Sequence, residues 1–321
     1  MPYIKELVFT VIKIMRKIFN ILISIGLLFL AVYYFGIDRI IDQAKNIKLE
    51  FFLFAIIINL LLIPIVTKRW QLILRLLTPL PTFVQCIRAQ LIAMYAGLFF
   101  PGLISGTAVK LVLMRQIGIR SKYTLLSILF DKIAIVLPLV TCIAISVPFI
   151  ADTHVFQEEL DNFPKVVAAV FLVFISVIAG ALLIPRFVDN DSMMLKDLFH
   201  LHKGKIAAIF LWGIVVVCMG VLQYWTLFEF KASLADLFLV TPAVIFISSL
   251  PLSIGGWGLR EGSGILFFAL IDIPGEVALL ASVQVGFAGI IVSMIGAFFW
   301  SKDLIPEGKK AMSAAIAKTK N

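Results

Sequence analysis

Charge is scarce in this sequence. Of 321 residues only 15% are Asp, Glu, Lys or Arg, 61% are hydrophobic, and the mean hydropathy is +1.07. A soluble domain carries roughly 25% charged and about 45–50% apolar residues, so a water-soluble enzyme is nearly excluded and a polytopic membrane protein is indicated. Cysteine is equally sparse. Cys86, Cys142 and Cys218 sit in or beside apolar runs with no paired spacing, which argues against a disulfide framework or a metal centre. The three histidines, His154, His200 and His202, bring no third ligand with them, so no metal and no cofactor is expected. No Ser/His/Asp or Cys/His set, phosphate-cradling loop or carboxylate pair at catalytic spacing is visible, and the chain reads as a non-enzyme. Acids are outnumbered by bases, 19 to 28. In a membrane protein such an excess sorts to one face of the bilayer, so no nucleic-acid partner is expected.

What is present is a series of long apolar runs. A helix crosses the hydrocarbon in about 20 residues, and residues 18–35, 51–66, 124–150, 165–184, 206–228 and 277–300 meet that length. The first run follows Lys5, Lys13, Arg16 and Lys17 but is too long for a signal peptide and lacks a cleavage pattern. Segments 67–88 and 105–123 carry Lys and Arg with no acid, whereas 151–164 carries Asp152, Glu158, Glu159 and Asp161 with no base. The positive-inside bias places the basic segments, and both termini, in the cytoplasm.

Two apolar stretches, 89–104 and 237–271, are broken by Pro and Gly. If 89–104 crossed the membrane, the wholly basic 105–123 would have to be translocated. It reads instead as a re-entrant hairpin entered from the cytoplasm, and 237–271, flanked by Asp236, Asp272 and Glu276, as one entered from outside. The expected fold is therefore all-α, with six full spans and two hairpins; eight full spans is the alternative. The stretch Pro101-Gly102-Leu-Ile-Ser105-Gly106-Thr107-Ala-Val-Lys110 matches Pro251-Leu-Ser-Ile-Gly255-Gly256-Trp257-Gly258-Leu-Arg260 in spacing: Pro, four residues, Gly, three residues, a cation. Two such motifs entered from opposite faces give an inverted repeat over about 51–150 and 206–300. The whole chain is then one transmembrane domain, and 301–321 is a basic cytoplasmic tail. Pro and Gly end helices within the membrane, and each half-helix start is a site for an anion.

Asp131, Lys132, Arg260 and Glu261 fall where hydrocarbon is expected. Each unpaired charge at a helix centre costs about 2.5–3.5 kcal/mol, so they must be paired, hydrated or near an interface. Neighbours on a helix point about 100° apart, so Asp131 and Lys132 do not simply neutralise each other. A pairing of Asp131 with Arg260 across the repeats is expected, leaving Lys132 or Lys110 facing a cavity. The competing reading has Lys132 reaching back to the cytoplasmic headgroups.

At Phe100-Pro101-Gly102 with Gly106 and Lys110, at Ser127 to Lys132, and most specifically at Leu250 to Gly262, the sequence resembles the flippase-like membrane domain of the lysylphosphatidylglycerol synthase/flippase family, in its stand-alone form without the synthase domain. The resemblance runs from the first span to about Trp300. It implies a lipid flippase or transporter of a bacterial or archaeal cytoplasmic membrane. The partner it implies is an anionic lipid, a phospholipid or a polyprenyl phosphate. The family's first motif commonly has two glycines and an acid where this chain has Ser105-Gly106-Thr107, and its Asp-Arg pair is Asp131-Lys132 here. The first departure weakens any ion coupling, and the second removes bidentate phosphate recognition. The expected substrate site comprises Pro101, Gly106, Lys110, Asp131, Lys132, Pro251, Gly255, Gly256, Gly258, Arg260 and Glu261, with Lys110 and Arg260 attracting a phosphate in a cationic midplane cavity. The rivals are a membrane-embedded transferase of lipid-linked sugars and a non-transporting scaffold for a lipid-biosynthetic enzyme.

Overall fold

The computed structural model describes residue 45 and residues 47–99, 103–146, 203–249 and 256–303. The expected spans 18–35 and 165–184, the histidines, the acidic segment 151–164, the tail beyond residue 303, and Pro101, Pro251 and Gly255 lie outside the described residues. Among those described, every regular element is a helix: α1 (Leu49–Leu77), α2 (Phe83–Phe99), α3 (Leu103–Gln116), α4 (Ser121–Ala134), α5 (Val136–Ser146), α6 (Lys203–Leu227), α7 (Leu234–Ser248), α8 (Leu259–Ala269), α9 (Gly275–Ser293) and α10 (Ile295–Asp303).

Among the described residues four stretches, α1, α4 with α5, α6, and α9 with α10, are long and apolar enough to cross a bilayer. The 29 residues of α1 reach about 43 Å at 1.5 Å per residue, more than the roughly 30 Å hydrocarbon thickness. Its large side chains Leu49, Leu53, Phe54, Ile57, Leu60 and Leu61 stay exposed, the stripe expected of a helix whose outer face meets lipid. The α4–α5 stretch breaks at Ile135. Pro138 causes this: it lacks an N–H to donate to Ala134 and its ring crowds that carbonyl.

By contrast, α3 and α8, at 14 and 11 residues, reach only about 21 and 16 Å. Each packs on the apolar helix before it, α3 on α2 and α8 on α7. The helix that follows the first Pro/Gly break runs further than the sequence indicated. Residues 105–116, expected as a cytoplasmic basic segment, continue α3 and bury Val109, Leu113 and Met114 against α2, because three apolar side chains at positions i, i+4 and i+5 share one helix face. Segment 67–77, the start of the expected basic cytoplasmic segment 67–88, likewise continues α1 as helix.

The packing pairs recur in matched form. The two longest helices, α1 and α6, lie against each other; α2 packs on α1 and α3 as α7 packs on α6 and α8; α10 rests on α2 as α5 rests on α7. The main core forms where α6, α7, α8 and α9 meet, around Tyr224, Phe228, Leu237, Val244, Phe267 and Phe268. Phe268 lies 4.8 Å from Tyr224 and 5.0 Å from Phe228, ring centre to ring centre. A second core, around Trp70, Leu74, Ile92, Met114 and Ile128, holds α1 to α4 together. The two hairpins thus each have a core of their own.

Candidate functional site

The second motif builds a compact charged turn. Trp257 stands between Gly256 at φ +81° and Gly258 at φ +82°, a backbone region that a Cβ disfavours. At Gly256 a Cβ would also press to 3.0 Å from the Ser248 carbonyl that closes α7. The two reversals deliver the chain into α8. There the Gly258 N–H donates to Glu261 Oε2 at 2.6 Å, a side chain three residues on satisfying a free N–H at a helix start. The other carboxylate oxygen, Glu261 Oε1, accepts from Arg260 Nε at 2.9 Å and from Nη2 at 2.5 Å. Both charges are buried. The guanidinium carbon of Arg260 sits 4.8 Å from the Trp257 ring centre, within cation–π range, and Phe287 meets the same indole edge-on at 5.6 Å. Gly286 of α9 completes the cage: any side chain there would collide with the Arg260 guanidinium and the Trp257 ring.

The first hairpin builds a second cluster from α1, α3 and α4. Arg69 and Trp70 leave α1 toward α4, where Arg69 Nε donates to Asp131 Oδ1 at 2.8 Å and Trp70 Nε1 donates to Ser127 Oγ at 3.1 Å. Ser127 hands its own proton to the Thr124 carbonyl at 2.7 Å. Lys110 of α3 lays its ammonium over the Trp70 ring, 4.1 Å from the centre, and the charges of Asp131, Lys132 and Arg69 all act on it. Lys132 is on the accessible surface. Arg69 is thus bonded to Asp131, and Lys110 and Lys132 add two further cations within electrostatic reach of the same carboxylate. Arg69 is only 5% exposed, and its Nη1 is buried without a hydrogen-bond partner among the described residues, as are Thr67 Oγ1 and Thr124 Oγ1.

The expected pairing of Asp131 with Arg260 is not formed. Asp131 pairs with Arg69 and Arg260 with Glu261, so the predicted residues divide into Lys110, Asp131 and Lys132 on one side and Gly256, Gly258, Arg260 and Glu261 on the other. At α8 the expected anion at the helix start is the chain's own Glu261. Gly106 lies in the first turns of α3, where the space for a side chain abuts the Ala93 carbonyl of α2 at 3.4 Å; its visible role is close helix packing. The sequence reading missed Arg69, which it placed in a cytoplasmic segment, together with Trp70, Trp257 and Gly286. The signal for the first two was present: only Thr67 and Lys68, neither a helix breaker, separate Arg69-Trp70 from the apolar run 51–66, so the helix could continue past the arginine.

Residues 17–297 match the family model described as the lysylphosphatidylglycerol synthase TM region. No curated protein and no solved structure matches the chain.

Proposed function

The chain belongs to the lysylphosphatidylglycerol synthase TM region family, and on that premise we propose that it moves an anionic, phosphate-bearing lipid between the leaflets of a cytoplasmic membrane. The observation that carries this reading is a charge imbalance. Among apolar helices stand Arg69, Lys110, Lys132 and Arg260 against Asp131 and Glu261. Hydrocarbon tolerates a net positive cluster poorly, so an anionic partner is called for. A lipid phosphate supplies one while its tails remain in the bilayer.

In this reading the paired short helices α2–α3 and α7–α8 are re-entrant hairpins related as an inverted repeat, which the matched packing supports. The headgroup passes between them, and each hairpin offers a cation held on a tryptophan face, Lys110 on Trp70 and Arg260 on Trp257. The carboxylates fix the arginines and keep the phosphate from being held too tightly to leave.

Reconstituted vesicles test it. A fluorescent acidic phospholipid in the inner leaflet should become accessible to an impermeant quencher faster with the wild-type protein than in protein-free vesicles, and Arg260→Gln and Lys110→Gln should each slow that transfer. Equal rates with and without protein would sink the proposal. One observation favours a scaffold instead: Arg260 and Glu261 satisfy each other, as purely structural charges would. A scaffold would leave the transfer rate at the protein-free value.

A further inference from the structure

We propose that Arg69, Lys110 and Lys132 form a binding site for a phosphate-type oxyanion between α1, α3 and α4, separate from the Arg260 cluster. The inference deepens the transport reading, which did not use Arg69, by locating where the anion rests.

Three independent features of the cluster point to a ligand. First, an arginine keeps its charge at any accessible pH, and only one edge of Arg69 is used. Nε is committed to Asp131 at 2.8 Å, while Nη1 is buried and unbonded. A buried guanidinium N–H without an acceptor forfeits the hydrogen bonds it had in water, and an oxyanion oxygen would restore one. Second, neither Lys110 nor Lys132 makes an ion pair among the described residues, and Lys110 has only the π face of Trp70 under it. An ammonium has three N–H donors, and no hydrogen-bond acceptor for Lys110 is seen among the described residues. Third, the surroundings are built rather than incidental. Trp70 is 1% exposed and pinned by Ser127, which is itself anchored to the Thr124 carbonyl, so the platform under Lys110 is fixed. Buried Oγ1 atoms of Thr67 and Thr124 add unpartnered polar groups on α1 and α4.

The contrast with the other hairpin gives the site its direction. Arg260 has a carboxylate at two of its nitrogens and the Gly258 N–H is taken by the same side chain, so that cluster is neutral. The first cluster carries three cations against Asp131. An oxyanion with two negative charges, such as a phosphate monoester or inorganic phosphate, would balance it; a neutral sugar or a cationic headgroup would not.

The test uses the full chain in maltoside micelles, which contribute no phosphate, with radiolabelled inorganic phosphate as the probe in equilibrium dialysis. Saturable binding is expected, and Lys110→Gln, which leaves the Arg69–Asp131 pair intact, should weaken it by about tenfold or more, the loss of one charge-assisted contact. Arg69→Gln should abolish it, and Lys231→Gln, a cation of the α6–α7 turn outside both clusters, should leave it within about twofold. Phosphatidic acid added to the micelles separates the two sources. Displacement of inorganic phosphate assigns the site to lipid headgroups, and lack of displacement assigns it to a free anion. If inorganic phosphate fails to bind, thermal stabilisation by phosphatidic acid that is lost in Lys110→Gln still supports a headgroup site. No effect of either probe, equal behaviour of Lys110→Gln and wild type, or loss of binding in Lys231→Gln would overturn the proposal. None of these readouts requires transport, so failure of lipid transfer in vesicles with phosphate still bound would reject the flippase reading alone.

Discussion

Arg69 and Asp131 lie 62 residues apart in sequence and meet at 2.8 Å between two apolar helices. Breaking such a pair from one side leaves a buried charge unmatched, which typically costs about 3–5 kcal/mol, whereas replacing both partners by apolar residues is often neutral. Arg69→Met alone should therefore be less destabilising than Asp131→Leu alone, since the charge it leaves behind, Asp131, is the more accessible of the two, and the double variant should recover most of the stability lost by Asp131→Leu. Thermal unfolding of the four proteins in one detergent measures this; strictly additive losses would show that the pair has no coupling. Gly286 gives a second residue-level expectation. A methyl there displaces both the Arg260 guanidinium and the Trp257 ring, an overpacking that costs about 1–3 kcal/mol. Gly286→Ala should lower the unfolding temperature and, if the cage positions Arg260 for a headgroup, slow lipid transfer in vesicles as Arg260→Gln does.

At the scale of elements, the helix starts and turns follow local rules. Thr82 and Gln85 form a reciprocal cap at the start of α2, the Gln85 N–H donating to Thr82 Oγ1 and the Thr82 N–H to Gln85 Oε1, as a Thr-x-x-Gln sequence leads one to expect. Gln71 and Arg75 both donate to the Pro81 carbonyl, which clasps the short α1–α2 turn. At the opposite end, the α6–α7 turn is tied to the start of α1: Lys48 and Lys231 both reach Glu229 Oε2, at 2.8 and 2.9 Å. The Lys48 and Lys231 ammoniums hold the Glu229 carboxyl below the usual carboxylate range, and the bond to Glu229 raises Lys48. Because the folded pKa of Glu229 is depressed, its contribution is complete above the unfolded pKa of about 4.3 and disappears as pH falls through the lower folded value. Lys48 works in the other direction, contributing below its unfolded pKa and losing that contribution only in strong alkali. Glu229→Gln should therefore lower the unfolding temperature slightly at neutral pH and not at all in acid. The effect is small because these groups are solvated. A difference that persists or grows toward acid pH would contradict the assignment.

For the molecule as a whole, the expected orientation puts the α1–α2 turn in the cytoplasm and the α6–α7 turn outside. In a cysteine-free background, Lys231→Cys should react with an impermeant maleimide applied to intact cells, and Leu80→Cys only after permeabilisation; both positions are exposed. The reverse pattern would invert the topology. Labelling of both from outside would rule out α1 as a full span between them. Much of this frame was legible beforehand. The apolar runs announced α1, α4–α5, α6 and α9–α10, and the Pro and Gly of the two motifs announced that α2 and α7 would stop short, since helix termination is decided by the backbone of the residues at the break. The ends of α1 and α3 were less legible because basic residues do not stop a helix: α1 continues past Arg69, whose guanidinium pairs with Asp131 of α4.

What the sequence determined by itself is the class of protein: hydropathy, charge scarcity and breaker positions act locally, so an all-helical membrane domain whose apolar stretches are interrupted twice by Pro and Gly could be read without a partner in view. The ownership of the charges was decided only by tertiary structure. Arg260 pairs with its own neighbour Glu261, which helix spacing alone disfavours, because at a helix start the Glu side chain folds back to cap Gly258 and the long Arg side chain bends to follow it between Trp257 and Gly286. Asp131 was thereby left to Arg69, because α1 and α4 pack side by side and bring that guanidinium within reach. Charge pairing in a low-dielectric interior depends on which helices touch, and that contact is a property of the assembled fold.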